Sequence, residues 1–181
     1  FGVSQESEIN FDLTAATPAA GVLRGKCAKA VRKIEDNLGG IPVGAIYAEC
    51  GDDFFDALLK HPEVIESYKG SPMAQVLREG YVTPNGTVYG VFEFGGIIFE
   101  NYRGKVGNTS FIDTNACHIF PVGVPGLWRT VYAPADYEET VNTIGLPRYA
   151  KQYPTANGKG RNLEVQMNAL NYCTRPKVLM K

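Results

Sequence analysis

Histidine is nearly missing from this chain of 181 residues: there are two, His61 and His118. A hydrolase triad or dyad would have to draw its base from one of them. Net charge is almost missing as well. Eighteen Lys and Arg stand against 19 Asp and Glu, a formal −1, so there is no strong field to hold a specific DNA site or to mark an acidic tail. No uninterrupted apolar run approaches the roughly 20 residues of a membrane-spanning helix. No basic-then-apolar leader follows Phe1, and an opening residue other than Met reads as a piece of something longer. The four cysteines, Cys27, Cys50, Cys117 and Cys173, form no C-x-x-C pair. They read as scattered buried thiols of a reducing compartment, because a chain this long needs no disulfide staples. Repeats and low-complexity tracts are also lacking. What is present, 44% hydrophobic and 20% charged residues, excludes wholesale disorder and is enough for a real core.

Glycine and proline, 20 and 11, cut the chain into short elements. Ile9, Phe11 and Leu13 alternate with Asn10 and Asp12, the pattern of a half-buried strand. Thr17 and Pro18 suit a helix start and Gly39-Gly40 a stop, with Leu23, Cys27, Val31, Ile34 and Leu38 as one apolar stripe between them. The cations Arg24, Lys26, Lys29, Arg32 and Lys33 cover the rest of that helix, beside Glu35 and Asp36, and read as a solvated face rather than a nucleic-acid surface. Val43 to Ala48 reads as a buried strand. Asp52 or Asp53 then caps a second helix whose apolar side is Phe54, Phe55, Leu58 and Leu59, and Pro62 interrupts it.

Later elements are mainly strands. A Pro-Asn-Gly turn falls within 81–90, Val88 to Phe94 and Ile97 to Tyr102 flank Gly95-Gly96, and Phe111-Ile112 and His118 to Val122 look like short strands. Ala133 to Val141 suggests a short helical segment, and Tyr149 to Gly160 a polar loop. Leu163, Val165, Met167 and Ala169 alternate with Glu164, Gln166 and Asn168. This segment is the expected sheet partner of the opening strand, so the chain ends are expected to meet.

The search for chemistry finds no catalytic, metal-binding or cofactor-binding constellation. Cys117 and His118 are neighbours, but successive residues of a strand point to opposite faces, a poor arrangement for a nucleophile and its base. His61, before Pro62 at a helix break, is expected at the surface. Asp52, Asp53 and Asp56 cluster as in a cation site, yet a helix start accounts for two of them through its free N–H groups and dipole. Gly95-Gly96 and Gly158-Lys159-Gly160 lack the strand–glycine–helix setting of a phosphate or dinucleotide loop.

Four ordered segments carry a likeness. They are the run from Cys50 to Val64, the run from Phe94 to Gly104, and the run from Ala116 to Gly126 with its continuation Tyr132 to Thr143. The fourth is the tail, Leu163 to Asn171 and Arg175 to Leu179. Together they resemble the tailed-phage major capsid protein E family, the family of the lambda-type head protein. The resemblance implies an α+β chain with the tailed-phage capsid fold, made of an axial α/β wedge over 15–130 and peripheral-domain strands from 1–14 and 131–181. The arm, hairpin loop and spine helix of the family are expected upstream of Phe1. It further implies a structural, non-enzymatic head protein that assembles with itself into pentamers and hexamers of an icosahedral shell around double-stranded DNA. Its setting would be the virion, assembled in the bacterial host cytoplasm. Decoration or scaffolding proteins are possible partners, contact with packaged DNA is loose and non-specific, and no membrane is involved. No cofactor is implied. Trp128, Arg129, Tyr132 and Tyr149, in a Gly/Pro-rich aromatic stretch, suit either subunit contacts or a core. Two other classes compete: an encapsulin-type compartment shell, and an enzyme using Cys117 or the Asp52–Asp56 cluster.

Overall fold

A computed structural model describes residues 2–4, 6–14, 19–69 and 90–181. Thr17, Pro18 and the Pro-Asn-Gly turn of 81–90, Gly90 apart, lie outside the described residues. The chain falls into two compact units, Phe1–Pro125 with Arg175–Lys181, and Gly126–Thr174. The last seven residues and the opening segment group with the first unit.

Helix α1 spans Val22–Leu38 and buries Leu23, Cys27, Ala30, Ile34 and Leu38. The stripe follows the expected spacing, except that Ala30 is fully buried while Val31 lies half-buried at its edge. Strand β1 is Ala45–Cys50, helix α2 is Asp52–Lys60 and helix α3 is Pro62–Tyr68. Pro62 opens α3 at the first position, where its missing N–H breaks no hydrogen bond. Among the described residues, no helix is long and apolar enough to cross a membrane.

Strands β2 (Val91–Phe94) and β3 (Ile97–Asn101) form a hairpin whose two-residue turn is Gly95-Gly96, at φ 61° and 83°. Two consecutive left-handed residues make the turn whose twist matches the flanking strands, and glycine adopts it without a Cβ penalty. Strand β6 (Cys117–Val122) completes a four-stranded sheet ordered β2-β3-β1-β6, with β1 parallel to β3 and antiparallel to β6. Phe92, Phe94, Ile97, Phe99, Ala48, Cys50, Cys117 and Ile119 share the buried face. Helices pack on that face: Phe55 lies edge-on to Phe92 at 5.4 Å, and the Arg24 guanidinium sits 5.8 Å above the Phe94 ring. A small hairpin of β4 (Lys105–Val106) and β5 (Thr109–Ser110) stands between β3 and β6. Phe111 and Ile112 are not a strand; Ile112 is buried and Phe111 exposed.

The chain ends do meet, by another route than the one expected. Met180 exchanges main-chain hydrogen bonds with Ile119 at 2.9 and 3.0 Å, and the Ile9 N–H donates to the Lys181 carbonyl at 3.1 Å. Phe11 then turns into the core, edge-on to Phe54 and Phe99. The expected ladder between 9–13 and 163–169 does not form. Strand β8 (Tyr149–Pro154) takes β9 (Arg161–Gln166) as its antiparallel partner, in the register Gln152 to Leu163 and Ala150 to Val165. So the stretch from Tyr149 begins as strand rather than polar loop, and only its end is a turn.

The second unit holds that β8–β9 ribbon and a further pair, β7 (Trp128–Tyr132) with β10 (Ala169–Cys173). The segment expected to run as one strand from Leu163 to Tyr172 is thus split between two ribbons. Of the helix expected over 133–141, one 3-10 turn forms, Glu138–Thr140. Polar contacts secure the connecting loop. Asn168 donates from Nδ2 to the Pro134 carbonyl at 2.7 Å, and the Asp136 N–H donates to Gln166 Oε1 at 3.1 Å.

Candidate assembly surfaces

The second unit buries two apolar side chains, Leu127 and Ala135. Two-stranded ribbons with so little core are marginal by themselves. Meanwhile large apolar groups stand in the open: Ile144 is 90% exposed, Leu163 78%, Val165 73% and Met167 60%. The register explains the concentration. Residues paired directly across an antiparallel ladder share a face, so Leu163 and Val165 line up with Gln152 and Ala150 on one side of the ribbon.

The opposite side of that ribbon is covered by its own loop. Lys151 donates to both carboxylate oxygens of Glu139 at 2.8 Å and lies 4.9 Å over the Tyr137 ring. The hydrogen bond from Lys151 holds the Glu139 carboxyl below its ordinary pKa, and Glu139 in turn raises that of Lys151. Tyr149 belongs to this covered side. Its hydroxyl accepts from the Leu146 N–H at 2.8 Å and donates to the Ile144 carbonyl at 3.3 Å.

Of the other three residues singled out for subunit contacts, all are on β7. Trp128 is 58% exposed and Tyr132 36%, and the two share a face with Thr130, whose hydroxyl meets Asn171 Oδ1 at 2.6 Å. Arg129 is exposed on the reverse face, paired with Tyr172. Neither Trp128 nor Tyr132 is a core aromatic. The stripe Leu163, Val165 and Met167 was visible in the sequence as alternation; its lack of cover was not, because alternation reports a face without saying what lies on it.

In the first unit, the chemistry-bearing residues sit in structural roles. His61 is buried, 4% exposed, contrary to its expected surface position. Its Nδ1 accepts the Glu63 N–H at 3.3 Å and so caps α3. Asp52 and Asp53 lie in the first turn of α2, where the dipole favours them, but neither caps it as expected: Gly51 is the N-cap, with no side-chain cap hydrogen bond, and Asp52 pairs with Arg103 at 3.4 Å. Among the described residues, no group of three or more His, Cys, Asp or Glu is arranged to hold a metal ion. Cys117 and His118 do point to opposite sides of the sheet. His118 lies half-buried in a row with Glu49 and Glu100, where burial first and Glu100 second raise the Glu49 pKa, against a smaller lowering from His118. A cavity of about 760 Å³ opens beneath residues 8–14, bordered by Phe11, Asp53, Phe54, Asp113 and Cys117.

The phage major capsid protein E family matches residues 1–181. The major capsid protein of Pseudomonas phage KPP10 is 30% identical over 184 residues, covering 96% of this chain and 52% of that protein. The major capsid protein of Salmonella phage Felix O1 (isolate Felix O1-VT1) is 30% identical over 151 residues, covering 70% of this chain and 41% of the relative. The chain therefore spans about half the length of the relatives it matches. A match that runs from the first residue to the last places the resemblance seen in four segments on firm ground: the chain belongs to the phage major capsid protein E family.

Proposed function

We propose that this chain is part of the structural head protein of a tailed phage or prophage. It assembles with its own copies into pentamers and hexamers of an icosahedral shell around packaged double-stranded DNA. The family match over residues 1–181 carries this reading. In this reading the axial wedge falls mainly in the first unit and peripheral strands in the second.

The bare apolar side of the β8–β9 ribbon and the exposed Trp128 and Tyr132 support self-association, since monomeric proteins rarely leave such groups contiguous and uncovered. Closed rings use head-to-tail contacts, one surface against a different surface of the next copy. Individually weak contacts suffice when many act together. A formal charge of −1 fits loose, non-specific contact with DNA. Assembly takes place in the host cytoplasm, with decoration or scaffolding proteins as possible additional partners.

Expression of the full-length protein and negative-stain microscopy test the reading. Shells, tubes or capsomer rings are expected. A strictly monomeric protein at high concentration overturns it.

A further inference from the structure

Cys50 closes β1 and Cys117 opens β6, 67 residues apart in sequence and directly opposite in the antiparallel register. The next main-chain hydrogen bond, from the Gly51 N–H to the Ala116 carbonyl at 2.9 Å, makes them a non-hydrogen-bonded pair. In such pairs the two Cα atoms approach to roughly 4.5 Å, inside the range that a disulfide spans. The two sulfurs lie 3.2 Å apart, with the Cys50 thiol directed at Cys117 Sγ. Both are free thiols. Cys27 is a buried residue of α1, outside this ladder.

We propose that Cys50 and Cys117 are an oxidation site: a dithiol that a small-molecule disulfide converts to an intramolecular disulfide, pinning β1 to β6. With oxidised glutathione, the Cys117 sulfur attacks one sulfur of the reagent and releases one glutathione. The Cys50 sulfur then attacks Cys117 Sγ in the mixed disulfide and releases the second. Two protons and two electrons leave the protein thiols, and one glutathione disulfide becomes two glutathione thiols.

The order of the steps follows from access. Cys117 borders the cavity under residues 8–14, while Cys50 is fully buried. The hydrogen bond to Cys117 and burial raise the pKa of Cys50, which suits it to the second, intramolecular step, where proximity replaces reactivity. The second step is slow, because Cys50 is fully buried and its thiol pKa is held high. Its biological setting rests on the shell-protein reading, in which a particle leaves a reducing cytosol for an oxidising exterior; the chemistry itself does not.

The test incubates the purified full-length protein with oxidised glutathione, alkylates the remaining thiols under denaturing conditions, and maps them by mass spectrometry. A linked pair of peptides carrying Cys50 and Cys117 is expected, with Cys27 alkylated, together with a rise of roughly 5–10 °C in melting midpoint from closing so long a loop. Cys50→Ala should hold the glutathione adduct on Cys117, and Cys117→Ala should leave Cys50 unmodified. Complete alkylation of both residues after that incubation overturns the proposal, as does a link from either to Cys27 or Cys173. Particle formation is scored separately by microscopy of reduced protein, so loss of the shell reading and loss of the disulfide are told apart.

Discussion

The Arg175 guanidinium donates from Nη1 to the main-chain carbonyl of Leu38 at 2.7 Å, joining residues 137 apart in the chain. Leu38 is the last residue of α1, where carbonyls lack intrahelical donors and the helix dipole is negative. Asn37 adds a second tie through its Nδ2 to the Lys177 carbonyl at 2.9 Å. The end of the chain is thereby fastened to a helix near its beginning, and Val178 and Met180 are carried into the core.

Arg175→Ala should therefore destabilise the first unit by about 1 kcal/mol. Arg175→Lys should restore only part of that, because an ammonium provides the charge without the guanidinium's fixed geometry. Urea unfolding of the two variants measures both effects.

Glu63 does the corresponding work at the other end of α1. Its carboxylate oxygens accept the Leu23 and Arg24 N–H groups at 3.1 and 3.2 Å. Desolvation pushes this carboxyl upward, but those hydrogen bonds, with His61 nearby and the Val22 N–H, together leave the pKa below its ordinary value. A lowered folded pKa means stability that is present above the unfolded value, about 4.3, and lost as pH falls through the folded one. Glu63→Gln should cost about 1 kcal/mol at pH 7, and the gap from the parent should narrow as pH falls through the lowered folded pKa. A gap that stays constant with pH would contradict the capping role.

Two glycines separate backbone strain from crowding. Gly95 has φ 61°, and a Cβ there would lie 2.6 Å from Cys27 Cβ; Gly107 has φ 58° with open space around it. Gly107→Ala should cost about 1 kcal/mol from the left-handed backbone alone. Gly95→Ala adds a clash with a packed helix and should cost about 3 kcal/mol. Comparing their denaturant midpoints checks the difference.

Surface and core substitutions should diverge if the exposed groups serve assembly. Ile34 is fully buried, and Ile34→Ala should lose about 3 kcal/mol of stability. Leu163→Ser and Trp128→Ser, at exposed positions, should change stability by less than about 0.5 kcal/mol while reducing particle yield in the full-length protein. Sedimentation alongside thermal unfolding distinguishes the two classes.

Much of the local structure was legible because its causes are local. The four- and three-residue steps of Leu23, Cys27, Val31, Ile34 and Leu38 point to a helix with one buried stripe, Gly39 stops it, and Gly95-Gly96 marks a turn or bulge that the structure resolves as a two-residue hairpin turn. The polarity of neighbours Cys117 and His118 followed from the strand period alone. The α+β class and the family were likewise readable, since four ordered segments carry them.

The sequence by itself determined the apolar stripe of α1, the strands on either side of Gly95-Gly96 and the two faces of β6, because those depend on spacing along the backbone; it did not tell strand from loop at 149–154 or helix from turn at 133–141. Only the tertiary structure decided partners. It sent Phe11 into the core beside Phe54 and Phe99 instead of into a ladder with 163–169, buried His61 as a helix cap, and set Cys50 against Cys117. Pairing across tens of residues is a competition among many apolar edges of similar pattern. It is settled by how side chains pack in three dimensions, which periodicity does not encode.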